Sequence, residues 1–174
     1  DVVTFTGSAD TAAKLRVHPN IVRQSIPFNA EADSLNCAIL ADDVSPDDEE
    51  FDLFVKEVAR EMTTKAGQKC TAIRRAIVPR QHLDAVASKL KARLAKTVVG
   101  DPSNESVRMG ALASHAQQSD VADRVATLMQ GSELVYGARD GFAPIGDGVA
   151  EGSFFSPTLL LSRHPLTHDA VHDV

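Results

Sequence analysis

Residues 45–78 read SPDDEEFDLFVKEVAREMTTKAGQKCTAIRRAIV, and this stretch decides the fold because it holds a helix, a turn and a strand in succession. Apolar side chains recur at helical spacing over 51–62, which predicts one amphipathic helix with a single buried stripe. Ser45 is expected to be its N-cap, followed by a proline and by four acidic residues at the positive end of the helix dipole. We expect Gly67 to end the helix in a left-handed conformation, and residues 73–78 to form the next strand.

Strands and helices alternate in both directions from this stretch, which predicts an α/β fold with an open, mainly parallel sheet flanked by helices. The run CAILA at 37–41 is wholly apolar, so we expect a strand buried on both faces, with Cys37 as a core residue. Expected strands are 2–6, 21–26, 37–41, 73–78, 132–137 and 156–161, and expected helices are 9–17, one ending near Gly67, one starting near Arg80 and one capped by Ser114.

Bulk composition excludes several classes of function. The net charge of −6 argues against nonspecific binding to nucleic acid or to an anionic membrane. One tyrosine and no tryptophan argue against an aromatic platform for nucleic acid, and the apolar runs are too short to span a bilayer. Two cysteines do not make a disulfide framework, so we expect a cytoplasmic protein. The chain starts inside a strand and stops without a terminal signal, so we expect a fragment of a longer protein.

Two segments end strands where an α/β sheet places ligands. Gly7 and Ser8 join the first strand to a helix N-terminus, which suits a phosphate, although by themselves these residues favour an ordinary strand–helix turn. Glu31 and Asp33 follow the strand expected to end near Phe28, so they lie at the carboxyl edge of the sheet. Two nearby carboxylates can share acid–base work, but by themselves these residues favour solvated loop charges.

Cys70 lies in a turn and is surrounded in sequence by Lys65, Lys69, Arg74 and Arg75. Positive charge stabilises a thiolate, but the preceding helix presents its negative end to this turn. The residues alone therefore leave two interpretations open, a nucleophile and a small apolar turn residue.

His164, His168 and His172 would share one face if their segment were helical. Pro165 interrupts that pattern, and no cysteine or acidic ligand shares a motif with the histidines. We therefore expect a solvated segment and no metal site.

The motifs FTGS at 5–8, GQKC at 67–70 and VGDPSNESVRMGAL at 99–112 occur in an order that resembles the aldehyde dehydrogenase superfamily. The resemblance runs along nearly the whole chain. It implies that Cys70 is the catalytic nucleophile and that Thr6, Gly7 and Ser8 contact NAD or NADP. It also implies that residues 1–32 are the end of a dinucleotide-binding domain and 33–174 a catalytic domain cut short at its C-terminal end.

The general-base segment departs from the common family pattern. Most members carry Glu-Leu-Gly-Gly before Lys-Ser-Pro-Asn, whereas this chain has FNAEADSLN at 28–36, and the usual glutamate falls on Asn29. The EADSLN form instead resembles the semialdehyde dehydrogenases of aerobic, coenzyme-A-dependent aromatic breakdown. These include the dehydrogenase half of the bifunctional ring-opening enzyme for phenylacetate and its counterpart in the benzoyl-CoA route. This narrower resemblance places the base on Glu31.

The resemblance implies oxidation of an aldehyde, expected to be a CoA-linked semialdehyde, to a carboxylic acid through a thiohemiacetal and a thioester on Cys70. It implies a homo-oligomeric parent protein, and little turnover by the 174-residue chain alone. Two alternatives come from other classes. A cysteine hydrolase or acyltransferase without a redox cofactor would need a histidine base near Cys70, and a non-catalytic α/β module would leave Cys70 unreactive.

Overall fold

The computed structural model of the chain describes residues 1–137, 142–168 and 171. They form two compact units, Asp1–Leu35 and Asn36–Val174, whose boundary lies three residues after the one drawn at 32/33 from the sequence. Helices and mainly parallel strand pairs make both units α/β in character, as predicted. Among the described residues, no helix combines the length and apolarity needed to cross a membrane.

The first unit is a parallel strand pair carrying two short helices. Strand β1 (Val3–Gly7) pairs with β2 (Phe28–Ala32), and helix α1 (Ala9–Arg16) packs against both strands. Strand β1 and helix α1 lie where the sequence predicts them. The strand predicted at 21–26 is wrong, because helix α2 (Pro19–Arg23) occupies most of that segment.

The physical reason for α2 is its N-terminus. Pro19 stands at the first helical position, where a missing N–H costs nothing and the fixed φ suits a helix. The His18 ring nitrogen accepts a hydrogen bond of 3.3 Å from the Asn20 backbone N–H and caps the turn. These local contacts outweigh the strand propensity of the β-branched residues that follow, and the strand starts later, at Phe28.

The second unit contains strands β3 (Asn36–Ile39) and β4 (Ile73–Ile77), which pair in parallel, and strands β5 (Glu133–Tyr136) and β6 (Leu159–Leu161), which pair antiparallel. Its longer helices are α3 (Glu49–Thr63), α4 (Leu83–Leu94) and α5 (His115–Leu128). Short 3₁₀ segments cover Thr64–Gly67, Arg80–His82 and Pro165–Thr167.

Helix α3 supplies the centre of the core of the second unit. The predicted stripe buries Phe51, Val55, Val58 and Ala59 against Leu40 and against the buried face of α4, formed by Val86, Leu90 and Leu94. Phe51 and Leu94 are fully buried, and burial of an aromatic or leucine side chain contributes about 2 kcal/mol each. This packing holds α3 against β3, which precedes Cys70 in the chain, and against β4, which follows it.

Two details of α3 differ from the sequence prediction. The helix begins at Glu49 with Asp48 as N-cap, because the Asp48 carboxylate accepts from the Ser45 N–H at 2.7 Å and folds residues 45–48 into a turn. The helix also ends at Thr63, four residues before Gly67, and Gly67 instead closes a left-handed turn with φ +72°. The predicted N-cap of α5 is confirmed, since the Ser114 hydroxyl accepts from the Gln117 N–H at 3.1 Å.

Strand β3 is covered on one face only, so the prediction that Cys37 belongs to the core is wrong. Leu40, just beyond β3, lies in the core and Ala38 packs against it, whereas Cys37 and Ile39 are exposed. The reason is the alternation of side chains along a strand: within this unit only one side of the β3–β4 pair meets α3.

Two isolated backbone bridges hold the segment 99–112 within the second unit. Val99 pairs with Met109, and Gly100 pairs with Ile145 so closely that a side chain at position 100 would strike the Ile145 backbone. The Ser103 hydroxyl and N–H both donate to Asp101, and they lower the pKa of that carboxyl below its usual value. The loop is therefore a fixed support for Gly110 and the residues after it.

Candidate active site

The first unit brings Glu31 beside the Gly7 turn. In the parallel register of β1 and β2, Thr6 is paired with Glu31 and Gly7 with Ala32 at the carboxyl edge of the pair. Glu31 lies inside β2, not in a loop after a strand, which corrects the expected placement. Its carboxylate is exposed, and the strand ladder fixes its backbone.

Ser8 connects this edge to helix α1. Its hydroxyl accepts from the Thr11 N–H at 3.3 Å and donates to the Thr11 hydroxyl at 2.9 Å, so it is the N-cap of the helix. Thr6, Gly7 and Ser8 are all exposed, and Gly7 presents bare backbone at the end of the strand. The edge therefore offers small exposed residues and hydroxyls next to the positive end of a helix dipole, although Asp10 in the first turn reduces that positive field.

Asp33 directs the chain out of β2. It adopts φ +50°, and its N–H donates to the Gly7 carbonyl at 3.3 Å. Aspartate tolerates this left-handed conformation better than most residues. Asp33 is exposed, so within the first unit its observed role is to end the strand, one residue after Ala32.

In the second unit, Cys70 lies in a tight turn between α3 and β4, and it is exposed. Three successive residues before it, Lys65, Ala66 and Gly67, have φ of +53°, +54° and +72°. A residue with a Cβ pays about 1–2 kcal/mol for this conformation, so surrounding contacts must hold the turn. The cysteine is thus carried by a strained and specific backbone, which is typical of functional sites.

The cations near Cys70 in sequence have other partners in the structure. The Lys69 ammonium lies 2.7 Å from the Glu61 carboxylate in a mostly buried ion pair. Arg74 donates to the Gly67 carbonyl at 3.4 Å, and Arg75 donates to the Val171 carbonyl at 2.8 Å. Glu61 offsets the positive charge of Lys69, and the two arginines hold backbone carbonyls, so these contacts of the basic residues stabilise the fold around the turn.

Two side-chain amides hold the backbone of the turn, and their roles could not be read from the sequence. The Asn36 amide donates to the carbonyls of Cys70 and Ala72 from the neighbouring strand. The Gln68 amide accepts from the Ala113 N–H at 2.8 Å. In the sequence, Gln68 and Asn36 were marked only by their places in the GQKC and SLN motifs, because their hydrogen-bond partners are distant in the chain.

The histidine segment does not form the helical face considered from the sequence. His164 precedes the 3₁₀ segment Pro165–Thr167, and His168 follows it in an extended conformation. His172 lies outside the described residues. Within the described part of the chain, no group of three or more His, Cys, Asp and Glu side chains could hold a metal ion.

Chemically, the second unit presents an exposed thiol on a fixed turn, and the first presents an exposed carboxylate beside two hydroxyls and a glycine. A thiol on a rigid backbone suits nucleophilic attack on a carbonyl carbon. A carboxylate suits proton abstraction from water or from a thiol.

Comparison with known proteins identifies relatives along almost all of the chain. A family model described as the aldehyde dehydrogenase family matches residues 1–168. A 3,4-dehydroadipyl-CoA semialdehyde dehydrogenase from Aromatoleum evansii is 49% identical over 174 residues, which are all of this chain and 34% of the relative. The chain therefore spans about a third of the length of that relative.

Solved structures share the fold. The Mycobacterium tuberculosis aldehyde dehydrogenase complexed with NAD+ superposes with a TM-score of 0.77 at 25% identity, over 92% of this chain and 31% of that one. The betaine aldehyde dehydrogenase of Staphylococcus aureus in complex with NAD+ gives a TM-score of 0.82 at 24% identity, over 98% and 32%.

Proposed function

This chain belongs to the aldehyde dehydrogenase family, and on that premise we propose that the full-length protein oxidises a CoA-linked semialdehyde to the corresponding carboxylic acid with NAD or NADP. The observation that carries the proposal is the 49% identity, over the whole chain, to a relative whose name specifies a CoA-linked semialdehyde. The exposed thiol of Cys70 on its fixed turn supports the same reaction class.

Cys70 is the nucleophile in this proposal. Its thiolate sulfur adds to the aldehyde carbonyl carbon, the carbonyl π bond breaks, and the oxygen takes the negative charge of a thiohemiacetal. The resemblance to the family assigns the Cys70 backbone N–H as one donor to that oxygen. The side-chain amide of Asn36 donates to the Cys70 carbonyl and so holds the peptide that follows the nucleophile.

Thr6, Gly7 and Ser8 would hold part of the dinucleotide. These residues fit such a group, since they are exposed, small or hydroxylated, and adjacent to the N-terminus of an eight-residue helix. The dinucleotide, when bound, supplies the acceptor for the hydride of the thiohemiacetal. The residues of this chain keep the product of that step as a thioester on Cys70.

Glu31 is the proposed general base for thioester hydrolysis. Its carboxylate takes a proton from water as the water oxygen attacks the thioester carbonyl, and the Cys70 sulfur leaves with the electrons of its C–S bond. The ladder between β1 and β2 supports this role, because it fixes the Glu31 backbone beside Thr6. With water as the final acceptor the product is a carboxylate, and coenzyme A is a recognition handle on the substrate.

The experiment that tests this function compares two cysteine variants of the full-length protein. Cys70→Ala is expected to lower the rate of aldehyde-dependent NAD(P)H formation by about a thousandfold or more, because covalent catalysis is lost. Cys37→Ala is the matched control, since its thiol is also exposed, and we expect it to keep nearly all activity. Full activity in Cys70→Ala would refute the proposal.

The resemblance extends to the assembly and to the isolated chain. We propose that the full-length enzyme is a cytoplasmic homo-oligomer, and that the 174-residue chain alone turns over little aldehyde. The chain is about a third as long as its relatives, which supports the second statement.

A further inference from the structure

We propose that Gln68 and Asn36 are positioning residues whose side-chain amides fix the direction in which the Cys70 thiol is presented. The proposal rests on the role of Cys70 as nucleophile, and it gives Gln68 and Asn36 a positioning role, not a catalytic one.

Gln68 ties the turn to a distant and well-held segment. Its side-chain oxygen accepts from the Ala113 N–H at 2.8 Å, and its nitrogen donates toward the Ala111 carbonyl at 3.4 Å. Leu112, between these two residues, makes two hydrogen bonds with Ser153. Its N–H donates to the Ser153 carbonyl at 2.9 Å, and the buried Ser153 side-chain hydroxyl donates to the Leu112 carbonyl at 2.6 Å. The support for Gln68 is therefore itself fixed within the second unit.

Gln68 also closes the strained turn. The Lys65 carbonyl accepts from the Gln68 backbone N–H at 3.0 Å and from the Gln68 side-chain nitrogen at 3.2 Å. Lys65 and Ala66 are in a left-handed conformation that residues with a Cβ avoid, so the turn persists only where contacts over-determine it. One glutamine side chain thus both closes the turn and anchors it.

Asn36 holds the other side of Cys70. It is the first residue of β3, and its side-chain nitrogen donates to the Cys70 carbonyl and, at 3.3 Å, to the Ala72 carbonyl. The peptide after Cys70 is therefore fixed from the neighbouring strand, and Gln68 fixes the chain two residues before Cys70. With the backbone held on both sides, the Cα–Cβ bond of Cys70 has one direction.

The chemistry explains why this matters. Attack by sulfur on a carbonyl carbon needs a near-attack distance and angle, and a displacement of about 1 Å can lower the rate of a reaction by about a hundredfold. Neither amide can be replaced by a carboxylate without loss. An acid at either position would bring negative oxygens toward the carbonyl oxygens that the amide nitrogens now contact.

The test uses Gln68→Glu and Asn36→Asp in the full-length enzyme, with CoA-linked semialdehyde and NAD. Each variant keeps the size of the side chain, and we expect each to lower kcat by about tenfold or more while KM for the aldehyde stays within about threefold. Gln117→Glu and Asn20→Asp are matched controls, because among the described residues the backbone of each, and not its side-chain amide, makes hydrogen bonds, and both are expected to keep wild-type kcat. The rate at which iodoacetamide alkylates Cys70 is measured by mass spectrometry of the peptide that contains it. We expect this rate to fall in Gln68→Glu and Asn36→Asp and to stay at the wild-type value in the two controls.

Rates are divided by the folded fraction, measured by circular dichroism, and Gln68→Met provides an uncharged variant of similar length. A corrected kcat within about twofold of wild type in Gln68→Glu and Gln68→Met would overturn the role of Gln68, and the same result in Asn36→Asp would overturn that of Asn36. Failure of the proposed function looks different, because Cys70→Ala would then keep its activity.

Discussion

The turn that carries Cys70 and the strand edge that carries Thr6, Gly7 and Glu31 are held in different ways. Side-chain amides hold the turn, and apart from the Lys65 carbonyl their partners lie 34 to 45 residues away in the chain. Backbone ladder bonds between β1 and β2 hold the edge, together with the local cap of Ser8 on α1. The turn contains strained residues before the cysteine, whereas β1 and β2 pair in regular register.

This difference predicts different responses to substitution. Ladder bonds use only the backbone, so most side-chain changes at the edge leave its geometry intact. The turn depends on particular side chains and on a glycine, so small changes there should move the cysteine. The nucleophile is therefore specified by long-range contacts, and the proposed base and cofactor contacts by local secondary structure.

Of these substitutions, Gly67→Ala should have the largest effect on the turn that carries Cys70. Its φ of +72° is unfavourable for alanine, so we expect a loss of about 1–2 kcal/mol in the stability of the turn, together with a lower kcat. Hydrogen–deuterium exchange of peptides covering 64–72 in the full-length protein measures the loss.

Ala66→Gly is the control for that substitution. Glycine accepts φ +54° without strain but adds freedom to the unfolded chain, so we expect a net change within about 1 kcal/mol of zero. Equal protection of residues 64–72 in wild type and Gly67→Ala would show that strain in the turn does not matter.

Ser8→Ala should have a smaller effect, confined to the strand edge. Loss of the cap on α1 costs about 1 kcal/mol and should increase exchange at the amides of residues 9–12. We expect KM for the dinucleotide to rise a few-fold, with kcat and the alkylation rate of Cys70 close to wild type. A large fall in the alkylation rate of Cys70 would contradict the separation of the two regions.

Much of the fold was predictable because it follows from local periodicity and caps. The stripe of α3, the Ser114 cap of α5 and the strand at Ile73 each depend on residues close in sequence. The failures also have local causes. Pro19 and His18 started a helix where β-branched residues favoured a strand, and the Asp48 carboxylate displaced the expected cap at Ser45.

The site was less predictable, because its geometry depends on partners that sequence spacing does not reveal. Lys69 was interpreted as a cation near Cys70, but its charge is paired with Glu61 in the last turn of α3. Cys37 was predicted to lie in the core but is exposed, because an apolar run does not indicate which face of a strand is covered. The side-chain hydrogen bonds of Asn36 and Gln68 could be identified only in the folded chain.

Trapping the acyl group on Cys70 tests most directly whether this cysteine is the nucleophile and Glu31 the base. The full-length Glu31→Gln variant is mixed with NAD and a CoA-linked semialdehyde, quenched in acid and analysed by peptide mass spectrometry. Because glutamine cannot take the proton from water, we expect the thioester to accumulate, and the acyl mass to appear on the peptide that contains Cys70. NADH formation with no acyl group on that peptide, or with the acyl group on Cys37, would contradict the account.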